Sequence, residues 1–377
     1  MRSLGFDDSH AGVCTVQPVG SRQGLVWALS LLAGAVACGG GGADTVSLAD
    51  SGSLSALANN NLDIPTAVAV RDNVAWLAES QFDHYAAFGG TGDPGGFRLV
   101  GVPLIAGGAV QTVALPPRFF PEGLTVSVAG RMYVGSIVDG SIQTVAPNTT
   151  TAQEFVAKNT LEKPSVLGMA VSADAKTLWV CNTVTSPPDG ELSTAAIVGI
   201  DAGTGKVTAT HELPASAAGA FCNDIVIAAN GNLWATESFG GRIFRILAAD
   251  LPNSAPATTW LQDSALAGGD QGPEKGKFGA NGLALMSGKL FVVNSSRGTL
   301  LSIDPTLDAP ASADLHIVKL QESGVTGDVV LANPDGMTRL GDSETDLLLV
   351  ENGFFVENNM VVNRGGKRLT QITLKTE

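Results

Sequence analysis

Histidine, tyrosine and cysteine are scarce in this chain, at four, two and four residues of 377. With no C-x-x-C spacing and so few imidazoles, a zinc centre built on Cys or His has no support. Charge is sparse too: 15% of residues are charged, against roughly 25% in ordinary globular chains. The 44% apolar share supplies ample surface to bury, which excludes disorder for most of the length. Positive charge is the scarcer sign, 22 Lys and Arg against 36 Asp and Glu for a net −14. Such a field repels phosphate backbones, so no nucleic-acid partner is expected. No Gly-X-Y period or coiled-coil pattern runs through the chain. A G-x-S-x-G elbow, a P-loop and an H-E-x-x-H pair are all missing, so acyl-serine, nucleotide and zincin chemistry lack support.

The apolar run at residues 25–37 (LVWALSLLAGAVA) has 13 residues, the length of a signal h-region and too short to span a bilayer. Cys38 and the run Gly39-Gly40-Gly41-Gly42 follow it. Small residues before a Cys and a flexible run after it resemble a bacterial lipoprotein signal, with Cys38 lipidated and the glycines a tether. Cleavage after Ala37 without lipidation fits as well. The expected organisation is a signal peptide over 1–37, a linker over 38–58 and the folded body over 59–377. The protein is then exported, anchored on the periplasmic side of a membrane by lipid alone, and monomeric. Only Cys181 and Cys222 remain in the body, where either a disulfide or two buried thiols would suit them.

What is abundant is glycine, 46 residues, and an internal repeat. A block of the form x-small-hydrophobic recurs six times: Thr66-Ala67-Val68, Glu122-Gly123-Leu124, Leu167-Gly168-Met169, Asn223-Asp224-Ile225, Asn281-Gly282-Leu283 and Asp335-Gly336-Met337. Successive gaps are 56, 45, 56, 58 and 54 residues. Each block is followed by a strand-like segment with a polar end (AWLAES, MYVGSI, LWVCNT, LWATES, LFVVNS, LLVENG) and then by a third strand. Several antiparallel strands per unit at a period near 50 predict an all-β, six-bladed β-propeller with four-stranded blades. A single blade cannot cover both its faces, and radial stacking covers both. The last unit lacks an outer strand, and residues 44–58 are expected to supply it, since an open edge invites aggregation.

Radial geometry aims the residue opening each innermost strand at the central channel. The predicted ring is Thr66, Glu122, Leu167, Asn223, Asn281 and Asp335. Four of these offer oxygen and none offers nitrogen or sulfur from His or Cys. Oxygen donors suit a hard cation, Ca²⁺ or another divalent ion, and the metal set is read as Glu122, Asn223, Asn281 and Asp335.

This ring resembles that of the calcium-dependent six-bladed propellers of the senescence marker protein (regucalcin) and gluconolactonase family. The likeness rests on Pro121-Glu122-Gly123, Cys222-Asn223-Asp224, Ala280-Asn281-Gly282 and Pro334-Asp335-Gly336, in the family's order of Glu, variable, Asn, Asn, Asp. It departs from the family in two ways: a whole repeat precedes the Glu, and Thr66 stands where some relatives carry a His. The resemblance implies a hydrolase acting on a small lactone or ester at calcium, with Asp335 as the base that activates water and Asp224 orienting it. A non-catalytic envelope propeller that binds a sugar, peptide or protein is the alternative, and a strictosidine-synthase-like propeller a weaker third. Strand directions place residues 81–96, 184–194 and 262–279 on the ligand side. The pocket candidates are thus His84, Tyr85, Phe278, Thr66 and Leu167.

Overall fold

Short apolar strands separated by tight turns fold locally into antiparallel meanders. Two inner hairpins show why: Asp72 and Asn73 both take positive φ (54° and 58°), as do Ser287 and Gly288 (46° and 76°). Two consecutive positive φ values make the turn whose twist matches paired strands. The computed structural model describes residues 46–59, 62–269, 278–357, 360–363 and 366–377. The expected signal peptide, Cys38 and the Gly run lie outside them.

The N-terminal strand β1 is Leu48–Asn59. The first four-stranded group is β2 (Pro65–Arg71), β3 (Val74–Glu79), β4 (Arg98–Pro103) and β5 (Gln111–Ala114). The second is β6 (Pro121–Val126), β7 (Met132–Ser136), β8 (Ile142–Val145) and β9 (Ala152–Val156). The third is β10 (Ser165–Val171), β11 (Thr177–Thr183), β12 (Ala195–Asp201) and β13 (Val207–Glu212). The fourth is β14 (Cys222–Ile227), β15 (Leu233–Glu237), β16 (Arg242–Ile246) and β17 (Thr258–Gln262). Next come β18 (Ala280–Met286), β19 (Lys289–Asn294), β20 (Thr299–Ile303) and β21 (His316–Glu322), then β22 (Pro334–Arg339) and β23 (Asp346–Glu351). A separate hairpin, β24 (Phe354–Glu357) with β25 (Met360–Asn363), precedes β26 (Arg368–Thr376).

These last strands differ from the expected independent blades, because they form one eight-stranded sheet, β18-β19-β20-β21-β1-β26-β23-β22. The reason is the length of β1. It pairs antiparallel with β26, as the missing outer strand would, and also parallel with β21, with Ser51 opposite Lys319. Lys289 Nζ reinforces the join, donating to Leu48 O at 2.7 Å and to Asp50 Oδ1 at 3.1 Å.

The first strands of successive groups lie side by side in a closed cycle, β2-β6-β10-β14-β18-β22 and back to β2. Between groups lie apolar layers: Trp76 with Met132, Ile142 with Val180, Phe221 with Ile197, Trp260 with Leu290, Leu300 with Leu347, and finally Leu77 with Val350. Burying one such side chain contributes about 1.5–3 kcal/mol, so the cohesion of the molecule lies between sheets as much as within them. The result is an all-β propeller of antiparallel sheets around a central channel.

Candidate functional site

Every first strand carries a register irregularity at its start, between Pro65 and Ala67, Pro121 and Leu124, Val166 and Met169, Cys222 and Ile225, Ala280 and Leu283, and Pro334 and Met337. The irregularity re-aims the side chain at the strand opening, and the ring residues all fall there. The small residue that follows is explained by neighbouring backbones. A Cβ on Gly123 would lie 2.0 Å from Leu167 O, one on Gly282 2.2 Å from Asp335 O, and one on Gly336 2.6 Å from Thr66 O. The glycines let adjacent first strands touch at the channel, and the last contact closes the circle.

Thr66, Glu122, Asn223, Asn281 and Asp335 are all buried. The first four line a central cavity of about 400 Å³. Leu167 is placed differently, buried in an apolar layer with Phe221 and the two cysteines, because an aliphatic side chain gains more there than in a polar ring. The oxygen donors are oriented by partners that sequence reasoning missed. Asn223 Nδ2 donates to Ser238 Oγ at 2.9 Å, and Ser238 Oγ donates to Ala280 O at 2.6 Å. Asn281 Nδ2 donates to Ser295 Oγ at 2.8 Å, and Ser295 Oγ donates to Pro334 O at 2.6 Å. Each serine proton is committed to a carbonyl, so the serine oxygen takes the amide NH₂. The amide oxygens of Asn223 and Asn281 are thereby turned away from these serines. Asn352 Nδ2 donates to Asp335 Oδ2 at 2.7 Å. The signal was present as the polar ends of the second strands, which carry Ser80, Thr183, Ser238, Ser295 and Asn352.

Three carboxyls lie in or beside this ring, its own Glu122 and Asp335 and the Asp224 that follows Asn223. Burial holds Glu122 well above the usual carboxylate range, and the charges of Asp335 and Asp224 push it further. Burial raises Asp335 to about 8, against hydrogen bonds from Asn281 and Asn352, with Asp224 adding to the rise. Asp224 is raised by burial to about 7, against its backbone hydrogen bonds. Its Oδ1 accepts from Ile225 N at 2.8 Å and its Oδ2 from Leu283 N at 3.2 Å, so it ties β14 to β18. Thr66 Oγ1 lies 2.6 Å from Ser80 Oγ and 3.2 Å from Glu122 O.

Among the described residues no group of three or more His, Cys, Asp or Glu side chains forms a metal centre. The donor set here is two carboxylates with two oriented amides, and oxygen donors of this kind fit a hard cation. A desolvated Glu122 pushed up further by Asp335 and Asp224 is also the electrostatic setting that a divalent ion relieves.

The ring-side mouth is roofed by the connection from β3 to β4. Tyr85 lies beside Thr185 of the third group and packs on Phe120 of the second, centroids 5.1 Å apart. Phe88 packs on Phe278 and Phe354, each at 6.0 Å, and Phe278 on Phe221 at 5.1 Å. One segment meets side chains from groups that are not its neighbours in the cycle only by crossing the channel mouth. His84 is half-buried there, its Nδ1 donating to Thr91 O at 2.7 Å. Cys181 and Cys222 form a disulfide with Cα atoms 5.2 Å apart, between β11 and the residue before Asn223.

No family model matches this chain and no curated protein sequence matches it. Its fold is similar to several solved structures. A calcium-binding protein, regucalcin, from Agrobacterium tumefaciens is 15% identical with a TM-score of 0.56, covering 88% of this chain and 98% of that one. A luciferin-regenerating enzyme is 10% identical with a TM-score of 0.59, covering 87% and 98%. A catalytically inactive virginiamycin B lyase from Staphylococcus aureus, with quinupristin, is 14% identical with a TM-score of 0.52, covering 85% and 99%. At these identities the likeness is one of fold, and the fold is that of a β-propeller.

Proposed function

We propose that the chain is a six-bladed propeller hydrolase that opens a small lactone or ester at a divalent cation, calcium, held by Glu122, Asn223, Asn281 and Asp335. The eight-stranded sheet is read as two blades stapled by β1, since the closed cycle of first strands has six members. The observation that carries the function is the aimed donor set. Two asparagines are held by serine relays and two carboxyls share one buried ring, an arrangement that hydrogen bonding among neighbours leaves short of positive charge. Similarity of fold to a calcium-binding regucalcin agrees with this reading.

Calcium, when bound, would supply Lewis-acid polarisation of the substrate carbonyl. The protein's own groups do the remainder. Asp335, oriented by Asn352, accepts the proton of the attacking water as general base. Asp224, with both oxygens engaged by backbone N–H groups, positions Asn223 and Asn281 by locking their strands together. The roof of Tyr85, Phe88 and Phe278 keeps bulk water off the ring.

A second reading is a non-catalytic propeller that binds a small ligand or an envelope partner. It is favoured by one feature: among the described ring residues, the groups able to take a proton are the ligand carboxyls themselves and the backbone-bound Asp224. Bound calcium per protein and turnover of a lactone and ester panel, with and without chelator, separate the two. Hydrolysis requires calcium-dependent turnover that Glu122→Gln and Asp335→Asn each reduce by at least 100-fold, with metal binding weakened in both. Calcium binding without turnover selects the binding module, and a wild-type protein that binds no divalent ion overturns the site.

A further inference from the structure

Four residues beyond each ring position the chemistry of the channel inverts. That second layer is Val70, Val126, Val171, Ile227, Leu285 and Arg339, one per first strand, and all six line the same cavity. It stands about 13 Å from the ring at a strand rise of roughly 3.3 Å per residue. Between the two layers the lining includes Leu124, Met169 and Ile225, with Asp224 beside the ring and Thr125 and Thr338 next to the second layer. The second layer is half-buried rather than buried, so solvent reaches the channel from this end. Arg339 does not interrupt the apolar wall, because its guanidinium is tied to the carbonyls of Ser343 and Asp342 in its own turn. Its aliphatic stem is left to complete the layer. The opposite mouth lies under the aromatic roof.

The five aliphatic side chains of this level, one from each of five strands, pack in part against the apolar layers between sheets and present their remaining surface to the channel. The volume of about 400 Å³ lies within the range of small-ligand pockets, roughly 300–1,000 Å³. We infer that the channel is a tail-binding tube: the ligand carries an unbranched aliphatic chain that lies between the Val70–Leu285 layer and the ring, with its polar head at Glu122, Asn223, Asn281 and Asp335. This rests on the proposed site for the identity of the head and names the substrate class, an alkyl-substituted lactone or ester in place of a polyhydroxylated sugar lactone.

The test uses pyrrolidinone lactams bearing butyl, hexyl, octyl or decyl chains, which bind without reacting, alongside the matching lactones. Calorimetric Kd values for the lactams should fall roughly fourfold per added methylene until the tube is filled. Ile227→Trp and, separately, Val171→Phe should flatten that gradient for the longer members while leaving the butyl compound's Kd within about twofold. Phe88→Ala should leave the gradient intact. A wild-type Kd indifferent to chain length overturns the tube, as does a gradient that survives both tube variants and disappears in Phe88→Ala. A lactam gradient without turnover of any lactone supports the tube and removes the hydrolase; turnover with a flat gradient does the reverse.

Discussion

At the scale of single residues, the second-strand ends show how one sequence position serves two purposes. Glu79, Glu237 and Glu351 each close onto the Arg that opens the third strand, Arg98, Arg242 and Arg368, at 2.6, 2.8 and 2.6 Å. Each also accepts the backbone N–H two or three residues before a ring position, from Asp63, Phe221 and Ala332. The carboxylate thus pins the segment that presents the ring residue. The pairs differ in exposure, which sets their worth. The Glu237 and Arg242 side chains are 0% and 6% exposed, whereas Arg98 is 46% exposed beside a buried Glu79. Glu237→Gln leaves a buried guanidinium without its counter-charge and should cost about 3–5 kcal/mol. Glu79→Gln leaves an arginine that water can reach and should cost about 1 kcal/mol. Urea denaturation of the two variants, compared at equal slope, checks the order. Equal losses would mean that exposure of the arginine does not decide the cost.

The elements that sequence pattern marked best are those buried on both faces. The third strands β16 (RIFRI) and β20 (TLLSI) place Ile243, Phe244, Ile246, Leu300, Leu301 and Ile303 in the core, because closely spaced apolar residues between two sheets have no alternative environment. The fourth strands gave little signal. β5 and β13 alternate exposed and buried positions along a sheet edge, β21 does so although β1 covers its far side, and such polar outer strands look much like loops. β1 was expected from the missing outer strand of the last repeat, yet its second partner, β21, was not foreseeable, since parallel pairing between groups leaves no mark on composition. Deleting residues 46–59 would bare the edges of both β26 and β21. Unpaired edges of this length template self-association, so the truncated chain should elute as oligomers in size-exclusion chromatography. An unchanged monomer peak with an unchanged melting temperature would show that β1 adds nothing to closure.

For the whole molecule, ring closure decides the electrostatics. Glu122, Asp224 and Asp335 come from the second, fourth and sixth first strands, and Asp335 and Asp224 act on Glu122, and Asp224 on Asp335, because the cycle closes. Their folded-state values are raised, to about 7 for Asp224 and about 8 for Asp335. A raised carboxyl favours folding below its unfolded value near 3.8 and loses that contribution as pH rises through the folded value. The metal-free protein should therefore lose stability between about pH 4 and 8, where these groups are forced to ionise. A divalent cation compensates the ionised forms, so its stabilising effect should grow over the same window. Thermal melts with calcium and with chelator, taken at pH 5, 6.5 and 8, should show a gap that widens upward. A gap that stays constant or narrows would separate the cation from these carboxyls.

The repeat period and the all-β class were determined by the sequence alone. Both depend on local pattern: alternation within strands and a small residue where backbones touch. The displacement of Leu167 into an apolar layer, the Ser238 and Ser295 relays, the stapling of two groups by β1 and the roof formed by Tyr85 and Phe88 were decided only by the tertiary structure. Each joins residues from different repeats, as Ser295 and Pro334 do across 39 positions and Ser238 and Ala280 across 42, and such pairings are set by how sheets pack around a closed ring rather than by any neighbouring stretch of chain.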